Sequence, residues 1–241
     1  MGWQIETLDF EAGLFGAPVR RVTRILDDGA DLVELMKGCV SDGVWLVSAR
    51  TEQSDIEGSQ ELLAAGFKQV ENLITLSRSL PRSLKMPKGV RIAKAGDEQR
   101  CLNIAKSGFA FDRFHADVRI PDAIADVLKE KWVSNNFAGR ADIVLIVENQ
   151  GNIAGFVSCL TAADVVIIDL IAVAPEHQGA GCGTLLLQGA MSIYAGQMKT
   201  IRVGTQETNI KSMLLYERNN FIPQFSQATY HWIGVSSLVD G

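Results

Sequence analysis

Tyr216, Asp169 and a glycine-rich run from Gln178 to Thr184 are the residues whose types and spacing could do chemistry in this chain of 241 residues. The run reads Gln178-Gly179-Ala180-Gly181-Cys182-Gly183-Thr184. Before it stands the apolar, β-branched stretch Ile167-Ile168-Asp169-Leu170-Ile171-Ala172-Val173, and after it Leu187, Ala190, Met191 and Tyr194 recur at helical spacing. A strand, a glycine loop and a helix in that order aim the unpaired N–H groups of a helix start, with the positive end of its dipole, at one point. Such a point suits a phosphate, and Gly181 and Gly183 would keep side chains out of a backbone approach to a pyrophosphate. No Gly-Lys-Ser/Thr follows and the gaps are not those of G-x-G-x-x-G, which excludes the Walker and dinucleotide-binding loops. A plain strand-to-helix turn is the other reading of the segment alone.

Read as Q-x-x-G-x-G after Ile171-x-Val173-x-Pro175, the segment resembles the acetyl-CoA loop of the GCN5-related N-acetyltransferase (GNAT) superfamily. Asn209-Ile210-Lys211-Ser212-Met213-Leu214-Leu215-Tyr216-Glu217-Arg218-Asn219-Asn220-Phe221 resembles that superfamily's N-x-x-A-x-x-L-Y-x-x-x-G-F motif, with Ser212 for Ala and Asn220 for Gly. Asn shares with Gly a tolerance for a left-handed helix end. The resemblance implies acetyl-CoA as cosubstrate, with no metal. It would be held by Gln178, Gly179, Ala180, Gly181, Cys182, Gly183, Thr184, Asn209 and Tyr216, and by the backbone of Ile171, Ala172 and Val173, with which the pantetheine arm pairs as an added strand. It also implies that Tyr216 is the general acid for the departing thiolate, in a direct attack by the amine within a ternary complex. The residues alone leave other roles open: Tyr216 as a tyrosine packed at a helix end, and Asn209 as a helix N-cap. Strand alternation puts Asp169 on the face of Ile171, as an acceptor of the amine proton through water or as a hydrogen-bonded structural carboxylate.

The acceptor side is read from Ser107-Gly108-Phe109-Ala110-Phe111-Asp112-Arg113-Phe114-His115-Ala116-Asp117-Val118-Arg119-Ile120-Pro121. Aromatic, basic and acidic side chains on a glycine-started loop suit a polar ligand. The stretch resembles the S-R-F-H-x-D-x-x-I-P pattern of the branch of dTDP-fucosamine N-acetyltransferases, with Asp112 where Ser is usual. That resemblance implies a nucleotide-linked amino sugar as acceptor, in cell-surface polysaccharide biosynthesis, bound by Phe111, Arg113, Phe114, His115 and Asp117 and by Phe15 near the N-terminus. For His115 a satisfied structural histidine is the other reading. A protein amine or small amine metabolite as acceptor, and a non-catalytic module holding coenzyme A or a partner, are the alternative functions.

These residues need a scaffold, and periodicity predicts an α/β one. Strands are expected over 3–9 and 17–26 about a Gly13-Leu14-Phe15-Gly16 turn, then a helix from Asp28 to Cys39, a strand over 44–49, a helix from Ser54 to Ala64 and a long strand from Phe67 to Leu80. Pro81-Arg82-Ser83-Leu84-Lys85-Met86-Pro87-Lys88-Gly89 reads as a linker. After it the expected order is β-α-α-β-β-β-α-β-α-β, which is that of the acetyltransferase fold: a central mixed, mostly antiparallel sheet flanked by helices. This divides the chain into residues 1–84, a small N-terminal domain shaping the acceptor cleft, and 85–241, the acetyltransferase domain. Val47-x-Ala49-x-Thr51-x-Gln53-Ser54-Asp55-Ile56 through Phe67 echoes Ile201-x-Val203-x-Thr205-x-Glu207-Thr208-Asn209-Ile210 through Phe221 at one offset, without a gap. The N-terminal domain reads either as a degenerate half-copy, with Leu62 at the position of Tyr216 and no Q-x-x-G-x-G ahead of it, or as an unrelated strand-helix-strand unit that agrees by chance.

A net charge of −5 gives no general nucleic-acid footprint. No apolar run reaches membrane-spanning length, and Met1-Gly2-Trp3-Gln4-Ile5-Glu6 has neither the basic start nor the apolar run of a signal peptide. Cys39, Cys101, Cys159 and Cys182 are scattered, which fits reduced thiols in the cytoplasm rather than disulfides or zinc ligands. The expected partners are acetyl-CoA and a small-molecule amine, with a homodimer left open.

Overall fold

The computed structural model describes residues 1–26, 28–108 and 112–234. The chain sorts into two compact units, one of Met1–Leu73, Arg113–Ile124 and the chain from Ser226, the other of Ile74–Asp112 and Ala125–Phe225. The ten strands among the described residues are mostly antiparallel to their neighbours.

The first unit holds β1 (Gly2–Thr7), α1 (Asp9–Phe15), β2 (Val19–Ile25), α2 (Leu32–Ser41), β3 (Leu46–Glu52) and α3 (Ile56–Ala64), with the first part of β4 (Lys68–Ser79) and the last part of β10 (Ile222–Ile233). β1 is antiparallel to β2, β2 parallel to β3, and β3 antiparallel to β10. One face of this sheet buries Val22, Val47, Ala49, Ala228 and Tyr230 with Leu32, Met36 and Leu62 of the helices. The other face sets polar residues beside the buried Val19 and Leu46: opposite one another stand Glu6 and Arg21, Arg21 and Ser48, Ser48 and His231, Arg50 and Thr229. The turn expected at Gly13-Leu14-Phe15-Gly16 is instead the end of a helix. Asp9 and Glu11 lie in its first turn, where they oppose the helix dipole favourably, and Gly16 stops it in the left-handed region at φ 63°.

The second unit holds β5 (Val90–Ile92), α4 (Glu98–Gly108), most of α5 (Asp122–Asn135), β6 (Ile143–Asn149), β7 (Asn152–Ala162), β8 (Val165–Val173), α6 (Cys182–Tyr194), β9 (Thr200–Gln206) and α7 (Ile210–Arg218). From β5 on, the elements follow the expected order. The β6–β7 hairpin closes on Gln150 and Gly151, both at positive φ, which matches the twist of the strands it joins. β5 to β8 are antiparallel neighbours in chain order, and β8 is parallel to β9. One face packs on α6 and Tyr216 of α7, the other on α4 and α5 through Cys101, Ile104, Ala105 and Val133.

The sequence echo has a structural counterpart. β3, α3 and β4 recur as β9, α7 and β10 with every boundary shifted by the same 154 positions. Asp55 caps α3 by accepting from Gly58 N at 3.0 Å, and Asn209 caps α7 by accepting from Ser212 N at 3.2 Å. In each copy the preceding parallel ladder runs for four pairs, Val19–Val22 with Leu46–Ala49 and Val165–Ile168 with Thr200–Val203. No helix of the described residues is long and apolar enough to cross a membrane.

Candidate active site

β8 and β9 pair only from Val165↔Thr200 to Ile168↔Val203, although β8 continues to Val173 and β9 to Gln206. On its other side β8 stays paired with β7 as far as Val173. Ile171, Ala172 and Val173 therefore offer one backbone edge that is not used by β9, the kind of edge an extended chain can join.

A bulge marks the place where the two strands part. Ser158 faces Leu170 and Cys159 faces Ile168, which leaves Asp169 as the extra residue. The bulge reverses the alternation: Val166 and Ile168 pack toward α6, and after it Ile171 and Val173 do so, while Leu170, Ala172 and Ala174 join the opposite cluster. Asp169 thus departs from the face of Ile171 on which alternation placed it. Its carboxylate takes Arg140 Nη1 at 2.6 Å, Arg140 Nη2 at 3.1 Å and Asn136 Nδ2 at 2.7 Å. Asn136 also donates to Ser158 Oγ at 2.9 Å, and Ser158 Oγ accepts from Leu170 N, next to the bulge, at 3.2 Å. Asn136 and Arg140 come from a widened turn at the end of α5, where Gly139 takes φ 103°. Sequence reading missed Asn136, Arg140 and Ser158, because they are far apart in the chain and meet only through the bulge.

β8 runs into a short helical turn, Pro175–His177, and then into the glycine loop. Gln178 folds back so that Nε2 donates to Val173 O at 3.3 Å. Gly179 and Gly181 take φ 81° and 82°, and Gly181 stands at the N-cap of α6. Those left-handed turns bring the chain round so that the N–H groups of Cys182, Gly183 and Thr184 form the first turn of α6, where no intrahelical acceptor exists. Gly181 has open space where a Cβ would stand, so its glycine is required by backbone conformation. Gly183 differs from expectation. A Cβ there would lie 2.9 Å from Leu215 Cδ2, so its smallness lets α6 and α7 pack. The two helices are joined again by Asn219 Nδ2, which donates to Thr184 Oγ1 at 3.2 Å. Cys182 is buried, and burial raises its thiol pKa, so it is a neutral apolar side chain whose backbone faces the loop.

Tyr216 is 2% exposed in the same buried cluster as Cys182, with Ile171 and Val173 packed against it. Its ring lies 5.8 Å from that of Phe221. Burial pushes the phenol above its ordinary range, so the hydroxyl keeps its proton through neutral pH. Asn209 acts as the N-cap, and Asn220 takes φ 59°, the left-handed helix end expected of it.

Against this geometry, the Acetyltransferase (GNAT) family model matches residues 109–221. Residues 109–221 are thus similar to a GNAT-family domain. Similar solved structures include a GCN5-related N-acetyltransferase from Sphaerobacter thermophilus, at 15% identity and TM-score 0.65, covering 99% of this chain and 79% of that one. A tandem GNAT protein from the clavulanic acid biosynthesis pathway, at 14% identity and TM-score 0.58, covers 92% and 77%. Among curated proteins, the spore coat polysaccharide biosynthesis protein SpsD of Bacillus subtilis (strain 168) is 30% identical over 141 residues, 58% of this chain and 49% of that protein. The chain thus spans about half the length of the curated relative it matches.

The expected acceptor residues fall in the first unit, apart from Phe111, which lies outside the described residues. Phe114 is fully buried, with its ring 5.7 Å from that of Phe15 and 5.8 Å from that of His231, and Phe15 stacks edge-on against Trp45 at 5.0 Å. Asp117 is buried beneath Arg119, which donates to it from Nε and Nη2 at 2.8 and 2.7 Å, and lies 3.0 Å from His231 Nδ1. Those partners hold the carboxyl below its usual range, against the effect of burial. Phe15, Phe114 and Asp117 are therefore set as a frame. Arg113 and His115 beside them are partly buried. Asp112, where the family pattern has Ser, is 4.0 Å from the Nζ of the buried Lys129 in the second unit.

Proposed function

We propose that this chain is an acetyl-CoA-dependent N-acetyltransferase of the cytoplasm whose acceptor is the amino group of a nucleotide-linked sugar. The observation that carries the transferase reading is the parted edge of β8 running into the unsatisfied first turn of α6, with the protonated Tyr216 in the same cluster. In this reading Cys182, Gly183 and Thr184 hold the pyrophosphate through their N–H groups, Gly179, Ala180 and Gly181 shape the turn, and Gln178 fixes its start. The β8 edge at Ile171 to Val173 aligns the pantetheine arm. The amine attacks the thioester carbonyl, the C–S bond breaks, Tyr216 gives its proton to the leaving sulfur, and the proton shed by the new amide nitrogen passes through solvent to restore the Tyr216 hydroxyl. Asp169, whose oxygens are already taken by Arg140 and Asn136, fixes the bulge rather than accepting the amine proton. The sugar acceptor is supported by the pattern from Arg113 to Pro121 and by similarity to a polysaccharide biosynthesis protein.

The test is thiol release from acetyl-CoA against nucleotide-linked amino sugars, polyamines and peptides. Release only with the sugars is expected. Release with peptides or polyamines alone would replace the acceptor. Coenzyme A binding without release from any amine would make the domain a binding module.

A further inference from the structure

We propose that Arg21, Arg50 and Arg113, on the face of the first unit's sheet that carries Ser48, form a subsite for the diphosphate of the acceptor, which rests on the nucleotide-linked acceptor proposed above. The register places the first two together: Arg21 stands opposite Ser48, and Arg50 is two residues further along β3 on the same face. Arg113 joins them from the segment that covers this unit, with its guanidinium 4.7 Å over the Phe114 ring.

All three are loosely paired. Arg21 meets Glu6 at 3.2 Å, Arg113 meets Glu11 at 3.4 Å and Arg50 meets Glu71 at 3.9 Å. Elsewhere in the same unit arginine pairs are tight, with Arg20 and Asp42 at 2.7 Å and Arg24 and Asp55 at 2.8 Å, the usual length of a charge-assisted bond. Among the described residues the 3.4 Å contact is the one hydrogen bond of the Arg113 guanidinium, whose side chain is 11% exposed. Burial and the charges of Arg50 and Arg21 push it down to about 10, against the pull of Glu11 and Glu71. Among the described residues each of the three forks has one hydrogen bond to the protein: Arg21 to Glu6, Arg50 Nε to Thr229 Oγ1 at 3.2 Å, and Arg113 to Glu11. A guanidinium fork has five donors and matches phosphate oxygens two at a time, so three such forks suit a ligand with several anionic oxygens. The same face also buries Ser48 Oγ and His231 Nε2 without a partner among the described residues, so its polar groups are not saturated by the protein.

The experiment titrates a nucleoside diphosphate into protein already saturated with coenzyme A, so that the glycine loop is filled. Saturable binding that weakens with salt is expected in the parent. Arg50→Gln and Arg113→Gln should each weaken it about tenfold or more, with coenzyme A binding unchanged. Arg113→Lys keeps the charge without the fork and should fall between, which preserves the test if Arg113→Gln does not fold. Arg20→Gln, on the opposite face and paired with Asp42, should bind as the parent does. Absence of nucleoside diphosphate binding in the parent, or equal binding by the Arg50 and Arg113 variants, would overturn the subsite even if acetyl transfer to an amine is seen. Diphosphate binding lost in the variants would support it even if no amine is acetylated, in which case it is the transferase reading that fails.

Discussion

At the scale of single residues the transferase proposal turns on one hydroxyl. Tyr216 sits where burial disfavours the phenolate, so in the free protein its proton is held firmly. A thiolate formed in the same dry cluster would be equally poorly solvated, so the penalty on the phenolate left behind is matched by the relief of protonating the sulfur as the C–S bond breaks. Tyr216→Phe removes the proton and little else, because the ring's contacts with Phe221 and the cluster around Cys182 are apolar. Turnover should fall by about 10²–10⁴-fold, toward the lower end since thiolates leave readily, with acetyl-CoA affinity nearly unchanged. A tyrosine that only packs would keep its turnover within about threefold, well under 1 kcal/mol in the barrier. Measuring kcat and melting temperature on the same variant decides between them.

At the scale of elements, what was legible in the sequence is what local chemistry fixes. The glycine loop at Gly181 and the helix cap at Asn209 were legible, and the cap expected at Ser54 falls one residue later, at Asp55; all act within a few residues of themselves. The bulge at Asp169 was not legible, because nothing in Ile168-Asp169-Leu170 tells an extra residue from a paired one; the cause lies in Ser158 and Asn136, on β7 and after α5. The helix α1 was hidden by Gly13, which weakens helix propensity, whereas its anchor, Phe15 on Trp45, is a tertiary contact. Ser158→Ala tests the bulge. It leaves the Leu170 amide without its acceptor and one Asn136 bond unmade in a buried place, at a cost of about 1–3 kcal/mol. For a chain of this size that is a melting temperature lower by roughly 2–4 °C per kcal/mol. The Michaelis constant for acetyl-CoA should rise as well, since the edge of β8 is set by the bulge. An unchanged melting temperature and Michaelis constant would show that β8 holds its shape without Ser158.

At the scale of the whole molecule, two copies of one supersecondary unit have been given different ends. Each has a strand that pairs for four residues with a parallel neighbour and then parts from it, followed by a capped helix and a long strand. The difference lies at the helix that precedes that strand, α2 in the first copy and α6 in the second. In the second copy α6 begins at Gly181, with no side chain capping its N–H groups. In the first copy α2 begins at Asp31, whose carboxylate accepts from Val33 N at 2.9 Å and Glu34 N at 3.2 Å. That helix start is therefore already filled by an anion of the protein's own, and Glu34 in its first turn adds a second negative charge. A pyrophosphate would have to displace a cap and approach two carboxylates. Leu62, at the position of Tyr216, offers no proton either. Calorimetric titration should accordingly give one coenzyme A per chain. Asp31→Ala should cost about 0.5–2 kcal/mol of stability through loss of the cap and still give one, because Gly29, the glycine ahead of α2, packs against the Gly2 backbone and is not left-handed as Gly179 and Gly181 are. A stoichiometry of two in the parent would mean that the first copy kept its anion site. Two in the variant alone would mean that Asp31, and not the absence of left-handed glycines, is what closed it.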